Sequence, residues 1–257
     1  MPTIHTYQFG MRGPTIAERS PVPIRRDHSA VMLMIPTLNE EEAVGPLLQE
    51  SAAIFPRAVV VDGHSHDRTR EIAQSFGVNV LLQEFGPGKG CGVRTGMRFF
   101  LSSDAEILCI IDGDGTNIPG DLAGLVELVR NGEADIAIGS RTKGERDPGS
   151  MSFITIASNR VVSYLLSLRY GGSFTDIQTG YWAFSRSAVQ RLLPCLRSTR
   201  FEIELEIFSK AKTAGLVLKE VPVGFRRRVG HTKFSFSLRM RNLYYAFKYI
   251  LSLRPPG

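Results

Sequence analysis

The residues with the clearest chemical potential are Asp112 and Asp114, which alternate with glycines directly after the apolar run Ile107–Ile111. A short apolar run bounded by turn residues predicts a buried strand. Both carboxylates would then lie at the carboxyl end of that strand, where open α/β sheets bind ligands. Two hard oxygen ligands this close suit Mg²⁺ or Mn²⁺. A turn with two solvated aspartates explains an isolated D-x-D equally well, so the rest of the chain must decide.

Two earlier strands also end in polar residues. The apolar run 30–36 is followed by Asn39 and Glu40, and the run 58–61 is followed by Asp62. Helical stretches separate these runs, and this alternation predicts a mostly parallel, doubly wound sheet with right-handed crossovers. The polar strand ends should therefore converge along one edge of the sheet. We also expect Asn39 to cap the following helix, since asparagine is favoured there.

The alternation continues to Arg141 and then breaks down. The predicted elements up to that point are a strand at 79–82, a loop GPGKG at 86–90 that leads into a helix, and a strand at 135–139. Beyond Arg141 we expect, in this order, a helix at 153–168, the loop DIQTG at 176–180, the aromatic strand YWAF, a helix at 202–214, a strand at 218–223 and the basic loop 225–235.

Length and composition are those of a single large α/β domain. The chain has 257 residues, is 43% hydrophobic, and carries a net charge of +6 that favours an anionic partner such as a phosphate, a nucleotide or a membrane surface. Three widely spaced cysteines fit a reducing compartment. No apolar run reaches the about 18 residues of a membrane span. We expect a loose extension at 1–29, a catalytic domain at 30–237 and an amphipathic helix with a tail at 238–257.

The predicted C-terminal helix carries an apolar stripe with two open interpretations. Six apolar residues recur there at helical spacing: Met240, Leu243, Tyr244, Phe247, Ile250 and Leu251. The stripe could pack back on the domain. It could equally lie in the headgroup region of a membrane, with Arg241 and Lys248 facing anionic lipids.

Two local motifs match known functional motifs only in part. DGDGT resembles the nucleophile motif of haloacid-dehalogenase-like phosphatases, but the similarity covers five residues and no later G-D-x-x-x-D completes it. GPGKG lacks the spacer and the Ser/Thr of a P-loop. His64 and His66 have no third ligand nearby in sequence, so we predict that they bind no metal.

A broader resemblance covers residues 31 to 237. The blocks IPTLNEEEAV, VVDGHSHDRT, GKGCGVRTGM, IIDGDGT, IGSR, DIQTGYWAF, FEIELEIFSKA and VPVGFRRRVGHTKFS occur in this order. The sequence is thereby similar to family 2 inverting glycosyltransferases of the GT-A fold, a Rossmann-like, mostly parallel sheet with helices on both faces. More narrowly, it resembles polyprenyl-phosphate sugar transferases of the dolichol-phosphate mannosyltransferase type.

The resemblance implies roles for individual residues. The nucleotide sugar would be bound by Pro36, Asn39, Glu40, Asp62, Lys89 and Asp112. The divalent cation would be held by Asp112 and Asp114. The acceptor phosphate would be bound by Arg141, Arg228 and Lys233. Asp176 is the base if the acceptor is a hydroxyl, and otherwise positions Gln178 and Thr179. The family often has glutamine where this chain has Thr116, and arginine where it has Trp182, which leaves the third metal ligand and the donor open.

The implied activity is the transfer of a hexose, with inversion, from a nucleotide sugar to dolichyl or polyprenyl phosphate. GDP-mannose is the first expectation for the donor, and UDP-glucose or a UDP-N-acetylhexosamine is next. The enzyme would act peripherally at the cytoplasmic face of a membrane, with a possible membrane-anchoring partner protein and no nucleic acid. Two alternatives stay open: the same fold acting on a sugar hydroxyl with Asp176 as base, and a nucleotide-sugar-binding protein without catalysis.

Overall fold

The computed structural model describes residues 28–230 and, near the C-terminus, residues 244, 245, 247–249 and 251. The strands are β1 (Val31–Thr37), β2 (Ala58–Asp62), β3 (Asn79–Leu82), β4 (Ile107–Ile110), β5 (Ile136–Ser140), β6 (Trp182–Ser185) and β7 (Leu218–Pro222). The α-helices between them are α1 (Glu41–Ala52), α2 (Thr69–Ser75), α3 (Lys89–Leu101), α4 (Leu122–Arg130), α5 (Phe153–Tyr170), α6 (Arg186–Leu192) and α7 (Ile203–Thr213). Short 3₁₀ helices precede α4 and follow α6.

Within this part of the chain the strands form one sheet in the order β3-β2-β1-β4-β6-β5-β7. Every neighbouring pair is parallel except those that include β6, which runs antiparallel to both β4 and β5. The carboxyl ends of the parallel strands therefore share one edge, and the amino end of β6 lies at that same edge, where Trp182 pairs with Ile110 and Ile138. The fold class predicted from the sequence is confirmed.

The sheet is buried on both faces, which explains why its central strands are continuous apolar runs. In β1, Val31, Leu33 and Ile35 pack against α1 and α4 on one face. Met32 and Met34 face the opposite side, where they join the core cluster that includes side chains of α3, α6 and α7. Because successive side chains of a strand point to opposite faces, one short run supplies both cores.

The predicted capping role of Asn39 is wrong. Helix α1 begins at Glu41, and the residue before it makes no side-chain capping hydrogen bond. Asn39 has a left-handed backbone with φ of 50°. Its side-chain oxygen accepts a hydrogen bond from the His66 amide at 2.8 Å, and its own amide donates to Ser65 Oγ at 2.8 Å. Asn39 thus ties together the loops that follow β1 and β2.

The described C-terminal residues are helical and contact the domain through a face other than the predicted apolar stripe. Tyr245 and Tyr249 are partly buried against the core. The Tyr170 hydroxyl of α5 donates to the Tyr249 carbonyl at 3.0 Å. Tyr244 and Phe247, which belong to the predicted stripe, are exposed. No helix in the described ranges is long and apolar enough to cross a membrane.

Candidate active site

A cavity of about 950 Å³ opens at the sheet edge where the parallel strands end. Its wall is built from the loops after β1, β4 and β5 and from the first turns of α3 and α5. Ligand sites commonly measure about 300–1,000 Å³, so this one has room for a ligand of nucleotide size. Among its lining residues are eight that the sequence singled out: Pro36, Asn39, Glu40, Lys89, Asp112, Asp114, Arg141 and Arg228.

Two further predicted residues lie behind the cavity wall. Asp62 is fully buried and accepts hydrogen bonds from the amide and hydroxyl of Ser65 at 2.9 and 2.5 Å, while its neighbours Val61 and Gly63 line the cavity. Asp176 is also fully buried. Both carboxylates therefore support residues of the wall. Lys233 lies outside the described residues.

The loop after β4 is packed tightly enough to require glycine. A Cβ on Gly113 would meet Thr37 Cγ2 at 2.6 Å and the Pro36 carbonyl oxygen at 3.0 Å. Gly180 has φ of 65°, and a Cβ at this position would overlap the Asp112 carboxylate. Glycine at both positions lets the loop fold closely over the end of β1 and lets the Asp112 carboxylate approach the backbone.

Thr116 supports Asp114. Its backbone amide donates to Asp114 Oδ1 at 3.1 Å, and its hydroxyl donates to the same oxygen at 2.6 Å. These two bonds fix the carboxylate's orientation and leave Oδ2 directed at Arg228, 2.5 Å away. The residue that departs from the family pattern thus orients the second aspartate of the motif.

Lys89 links the first aspartate to a glutamate on α7. Its Nζ lies 2.7 Å from Asp112 Oδ1 and 2.7 Å from Glu204 Oε1. Burial alone would lower the pKa of Lys89, but the charges of Asp112 and Glu204 outweigh it and raise that pKa above its ordinary value. Burial raises the pKa of Asp112 to about 6, with Asp114 adding to the rise and Lys89 opposing it. Lys89 is therefore a fixed positive charge at the base of the cavity.

Arg141 is held in one orientation by the buried Asp176. Its amide and its Nε donate to Asp176 Oδ2 at 2.9 and 2.8 Å, and its Nη2 donates to Oδ1 at 2.7 Å. Nη2 also donates to the Gln178 carbonyl at 2.5 Å, and the Asn159 side-chain amide donates to Asp176 Oδ1. Such a two-pronged arginine–carboxylate pair has a defined geometry. Both carboxylate oxygens of Asp176 are thus committed to partners within the protein.

Arg228 is held by carboxylates from two other loops. Its Nη1 lies 2.5 Å from Asp114 Oδ2, and its Nη2 lies 2.5 Å from Glu40 Oε1. The loop that carries it is anchored nearby, because Arg226 makes two hydrogen bonds to Glu50 of α1 at 2.8 and 3.0 Å. A guanidinium therefore contacts Oδ2 of Asp114, the carboxylate oxygen that Thr116 does not bind.

The two aspartates fit a divalent cation that is shared with a bound phosphate. In the described part of the chain no cluster of three or more His, Cys, Asp or Glu side chains could hold a metal ion by itself. Mg²⁺ commonly uses one or two carboxylates and completes its shell with water and substrate phosphate oxygens. Both carboxylates contact cationic side chains, Lys89 at Asp112 and Arg228 at Asp114, so each already lies where positive charge is favoured. Asp112 and Asp114 would hold the metal.

The sequence analysis missed three supporting residues. Glu204 binds Lys89, Asn159 binds Asp176, and Glu220 of β7 accepts the backbone amides of Thr175 and Asp176 at 2.9 and 2.8 Å. The one available signal was the series of glutamates at 202, 204 and 206 within an apolar helix. Charged side chains are almost never fully buried unless they are paired, so an oppositely charged or hydrogen-bonding partner could have been predicted for each of these glutamates.

Trp182 does not face the cavity. It is buried in the core and stacks on Phe184, with ring centroids 5.8 Å apart and an interplanar angle of 11°. The position where the family often has arginine therefore contributes to packing in this chain. Arg141 on the loop after β5 and Arg228 on the loop after β7 are instead among the cationic side chains that line the cavity.

The Rossmann-like sheet with paired aspartates at its carboxyl edge is the arrangement expected of a GT-A glycosyltransferase, and the family match agrees with it. The chain belongs to the family described as glycosyl transferase family 2, whose family model matches residues 32–193.

Curated relatives and solved structures agree with this assignment. The chain is 32% identical over 224 residues to an uncharacterised protein of Methanocaldococcus jannaschii, covering 87% of this chain and 90% of the relative. It is 30% identical over 218 residues to the undecaprenyl-phosphate mannosyltransferase of Micrococcus luteus, covering 80% and 87%. It is 27% identical over 236 residues to the UDP-N-acetylglucosamine–dolichyl-phosphate N-acetylglucosaminyltransferase of Methanococcus voltae, covering 85% and 92%.

Among solved structures, the chain is similar to glucosyl-3-phosphoglycerate synthase from Mycobacterium tuberculosis in complex with Mn²⁺, UDP and phosphoglyceric acid. The TM-score is 0.68, the identity is 17%, and the match covers 86% of this chain and 78% of that one. At this identity the likeness establishes the fold alone.

Proposed function

We propose that the protein transfers a hexose from a nucleotide sugar to the phosphate of a polyprenyl or dolichyl phosphate, with inversion at the anomeric carbon. The observation that carries the proposal is the state of Asp176. Its two oxygens accept hydrogen bonds from Arg141 and Asn159, and its side chain is fully buried. A carboxylate so engaged is a poor general base, because a base must reach the proton that it removes.

A phosphate acceptor needs no such base. The second pKa of a phosphate monoester is about 6, so its oxygens are largely ionised at neutral pH. It needs cations that orient it and offset its charge. Arg141 and Arg228 line the same cavity as Asp112 and Asp114, which supports this assignment. Lys233, by its resemblance to the family, is a third cation for the acceptor.

The proposed reaction is a direct in-line displacement. An acceptor phosphate oxygen forms the new bond to the anomeric carbon while the bond from that carbon to the donor's diphosphate breaks, and the electron pair leaves with the nucleoside diphosphate. No proton has to move at the acceptor. A divalent cation at Asp112 and Asp114 would neutralise charge on the diphosphate. Lys89 sets the position of Asp112, and Arg141 is pre-oriented for the acceptor phosphate.

Arg228 has to change partners for this reaction. It contacts Asp114 and Glu40. A cation held by Asp112 and Asp114 would repel Arg228 from Asp114 and leave it available to the acceptor phosphate. Donor binding would thereby precede acceptor binding. The nucleotide pocket itself would use Pro36, Asn39 and Glu40, with Asp62 holding its floor.

The names of the relatives support the acceptor class and leave the donor open. Undecaprenyl phosphate and dolichyl phosphate occur in the names of the Micrococcus luteus and Methanococcus voltae enzymes, and the sugars named are mannose and N-acetylglucosamine. GDP-mannose is the first candidate donor, followed by UDP-glucose and a UDP-N-acetylhexosamine. A lipid acceptor would require the enzyme to work at a membrane surface, and we propose a peripheral position at the cytoplasmic face, with a possible membrane-anchoring partner protein.

The test is nucleoside-diphosphate release by the purified chain from a panel of GDP- and UDP-sugars, with Mg²⁺ or Mn²⁺ and with or without a short polyprenyl phosphate. Metal-dependent release that the lipid stimulates, with a sugar-phosphate-lipid mass in the lipid fraction, is the expected result. Asp176→Asn should retain part of this activity. Abolition by Asp176→Asn together with transfer to a sugar hydroxyl would replace the proposal with the hydroxyl-acceptor alternative. Donor binding without turnover on any acceptor would favour a non-catalytic binding protein.

A further inference from the structure

Helix α5 has its polar and apolar faces reversed relative to a helix that packs on a core. Its buried side chains include Asn159, Ser163 and Ser167, which lie alongside Val162 and Leu166. Its exposed face, in contrast, carries five large hydrophobic side chains, with Phe153 82% and Leu168 64% exposed: Phe153, Ile154, Val161, Tyr164 and Leu168. Burial within the described chain thus leaves the more apolar face of α5 in contact with solvent.

The exposed residues form one continuous stripe. At 3.6 residues per turn, the five side chains fall within about a third of the helix circumference. Arg160 and Arg169, both exposed, lie on the two sides of this stripe. An apolar stripe bordered by arginines is the pattern of a helix that lies in the interface of a membrane, where the basic side chains meet the headgroups.

The C-terminal helical residues carry further exposed apolar side chains. The Tyr170–Tyr249 hydrogen bond joins α5 to this segment, on which Tyr244, Phe247 and Leu251 are exposed. With the five residues of α5 they make up more than half of the exposed large hydrophobic side chains in the described part of the chain. A monomeric soluble protein rarely exposes so concentrated a patch without a binding role.

The first turns of α5 belong both to the cavity wall and to the stripe. Ser152, Thr155, Ser158 and Asn159, all at the start of α5 or just before it, line that cavity. One face of α5 therefore lines the site at its first turns, and the opposite face of the same helix carries the exposed apolar stripe.

We propose that the apolar stripe of α5 forms a docking face for an anionic lipid bilayer, which holds the helix that lines the cavity at the bilayer surface. The proposal rests on the proposed function, because the phosphate of a lipid acceptor must reach Arg141 while its hydrocarbon chain stays in the bilayer. The net charge of +6 and the flanking arginines complement anionic headgroups. A second copy of the chain carries the same arginines and the same net positive charge, so it complements this face less well than anionic headgroups do.

Co-sedimentation with vesicles tests the face directly. The full chain is mixed with phosphatidylcholine vesicles that contain or lack phosphatidylglycerol. We expect binding to the anionic vesicles, and a decrease of at least about tenfold in Val161→Asp/Leu168→Asp, because each substitution adds charge in the centre of the apolar stripe. The matched control is Phe76→Asp/Val217→Asp, which changes two exposed hydrophobic residues elsewhere, with Val217 at the opposite end of the sheet. The control should bind as the wild type does.

A second pair of variants tests the charges. Arg160→Glu/Arg169→Glu should weaken binding to anionic vesicles and remove most of its dependence on salt, while binding to neutral vesicles changes little. Nucleoside-diphosphate binding with Mn²⁺ should be unchanged in all of these variants, which shows that they are folded.

Three results would overturn the docking face: no binding of the wild type to anionic vesicles, wild-type binding by Val161→Asp/Leu168→Asp, or a wild-type dimer that this double variant converts to a monomer. Failure of the docking face differs from failure of the proposed function. Vesicle binding without transfer to any polyprenyl phosphate leaves the face standing and removes the function. Transfer to a short, water-soluble polyprenyl phosphate without vesicle binding leaves the proposed function standing and removes the docking face.

Discussion

Arg141 and Arg228 line the same cavity but are held in opposite ways. Arg141 follows β5 directly and makes four hydrogen bonds, three to the buried Asp176 and one to the Gln178 carbonyl. Arg228 lies on the loop after β7 and bridges Asp114 and Glu40, two carboxylates that we assign to the metal and the nucleotide. In the proposed reaction Asp176 has no other role than to hold Arg141, whereas both partners of Arg228 have proposed roles in ligand binding.

This difference separates a preorganised group from an exchangeable one. Asp176 is itself fixed by Asn159 and by the backbone amide that it presents to Glu220, so Arg141 can keep its orientation through a catalytic cycle. Asp114, in the role that we propose for it, would instead have to release Arg228 when a metal binds. The two arginines should therefore differ in their contribution to stability, in the geometry that catalysis requires of them and in competition with the metal.

The largest expected effect is on stability. Asp176→Ala leaves Arg141 in a buried position without its carboxylate, and breaking a buried pair typically costs about 3–5 kcal/mol. Glu40→Ala leaves Arg228 in contact with Asp114, so we expect a loss of about 1 kcal/mol or less. Urea unfolding followed by the fluorescence of Trp182, the chain's one tryptophan and a core residue, measures both. Equal losses of stability would show that the two arginines are held alike.

The next effect is on catalysis. Arg141→Lys loses the planar fork that matches Asp176, because lysine offers a point charge on a flexible chain. We expect kcat to fall by about 100-fold or more, as it does when one fixed charge-stabilising donor is removed. Arg228→Lys keeps a mobile cation and should lose about tenfold or less by the same reasoning. Steady-state kinetics with saturating donor compares the two, and a larger loss for Arg228→Lys would reverse the assignment.

The sequence was sufficient for the fold but not for these pairings. Apolar runs that end in Asp112, Asp62 and Arg141 located the strands and the shared edge, because strand periodicity and the βαβ crossover are encoded locally. The sequence also indicated Asp176 as a functional residue. It could not show that the carboxylate oxygens of Asp176 are occupied by hydrogen bonds from Arg141, because the two residues are 35 positions apart and meet only because β6 runs antiparallel.

Two other residues show the same limit. Glu204 faces Lys89 across a separation of 115 residues, and nothing local distinguishes it from Glu202 and Glu206 in the same helix. The apolar stripe of α5 was visible in the sequence only as helical periodicity. Which face a helix buries depends on what the rest of the chain supplies, and here the polar face contacts Asp176 through Asn159.

Competition with the metal gives a smaller but more specific effect. Arg228→Gln removes the guanidinium from Asp114, so we expect Mn²⁺ to bind about fivefold more tightly in the presence of a nucleoside diphosphate and absence of acceptor, within the usual range of couplings between sites. The affinity for an acceptor phosphate should fall in the same variant. Mn²⁺ titration by electron paramagnetic resonance measures the first effect.

Arg227→Gln is the matched control for this titration. Arg227 is the adjacent arginine, is exposed, and donates to the Pro148 carbonyl at 2.7 Å rather than to a carboxylate of the site. Its removal should leave Mn²⁺ affinity unchanged. An equal gain in both variants would attribute the effect to the net charge of the loop, and no gain in Arg228→Gln would mean that the arginine does not compete for Asp114.

The smallest expected effect concerns Lys89, which contacts the other aspartate of the motif. Unlike Arg228, it has Glu204 as a second partner outside the metal site, and its side chain is only 10% exposed. We therefore expect Lys89 to keep its place when the metal binds. Glu204→Gln should cost about 1 kcal/mol of stability through the weakened hydrogen bond and change Mn²⁺ affinity by about twofold or less, well below typical couplings between sites. If Glu204→Gln instead altered Mn²⁺ affinity as strongly as Arg228→Gln, both cations would exchange with the metal, and the preorganised part of the site would shrink to Arg141 and Asp176.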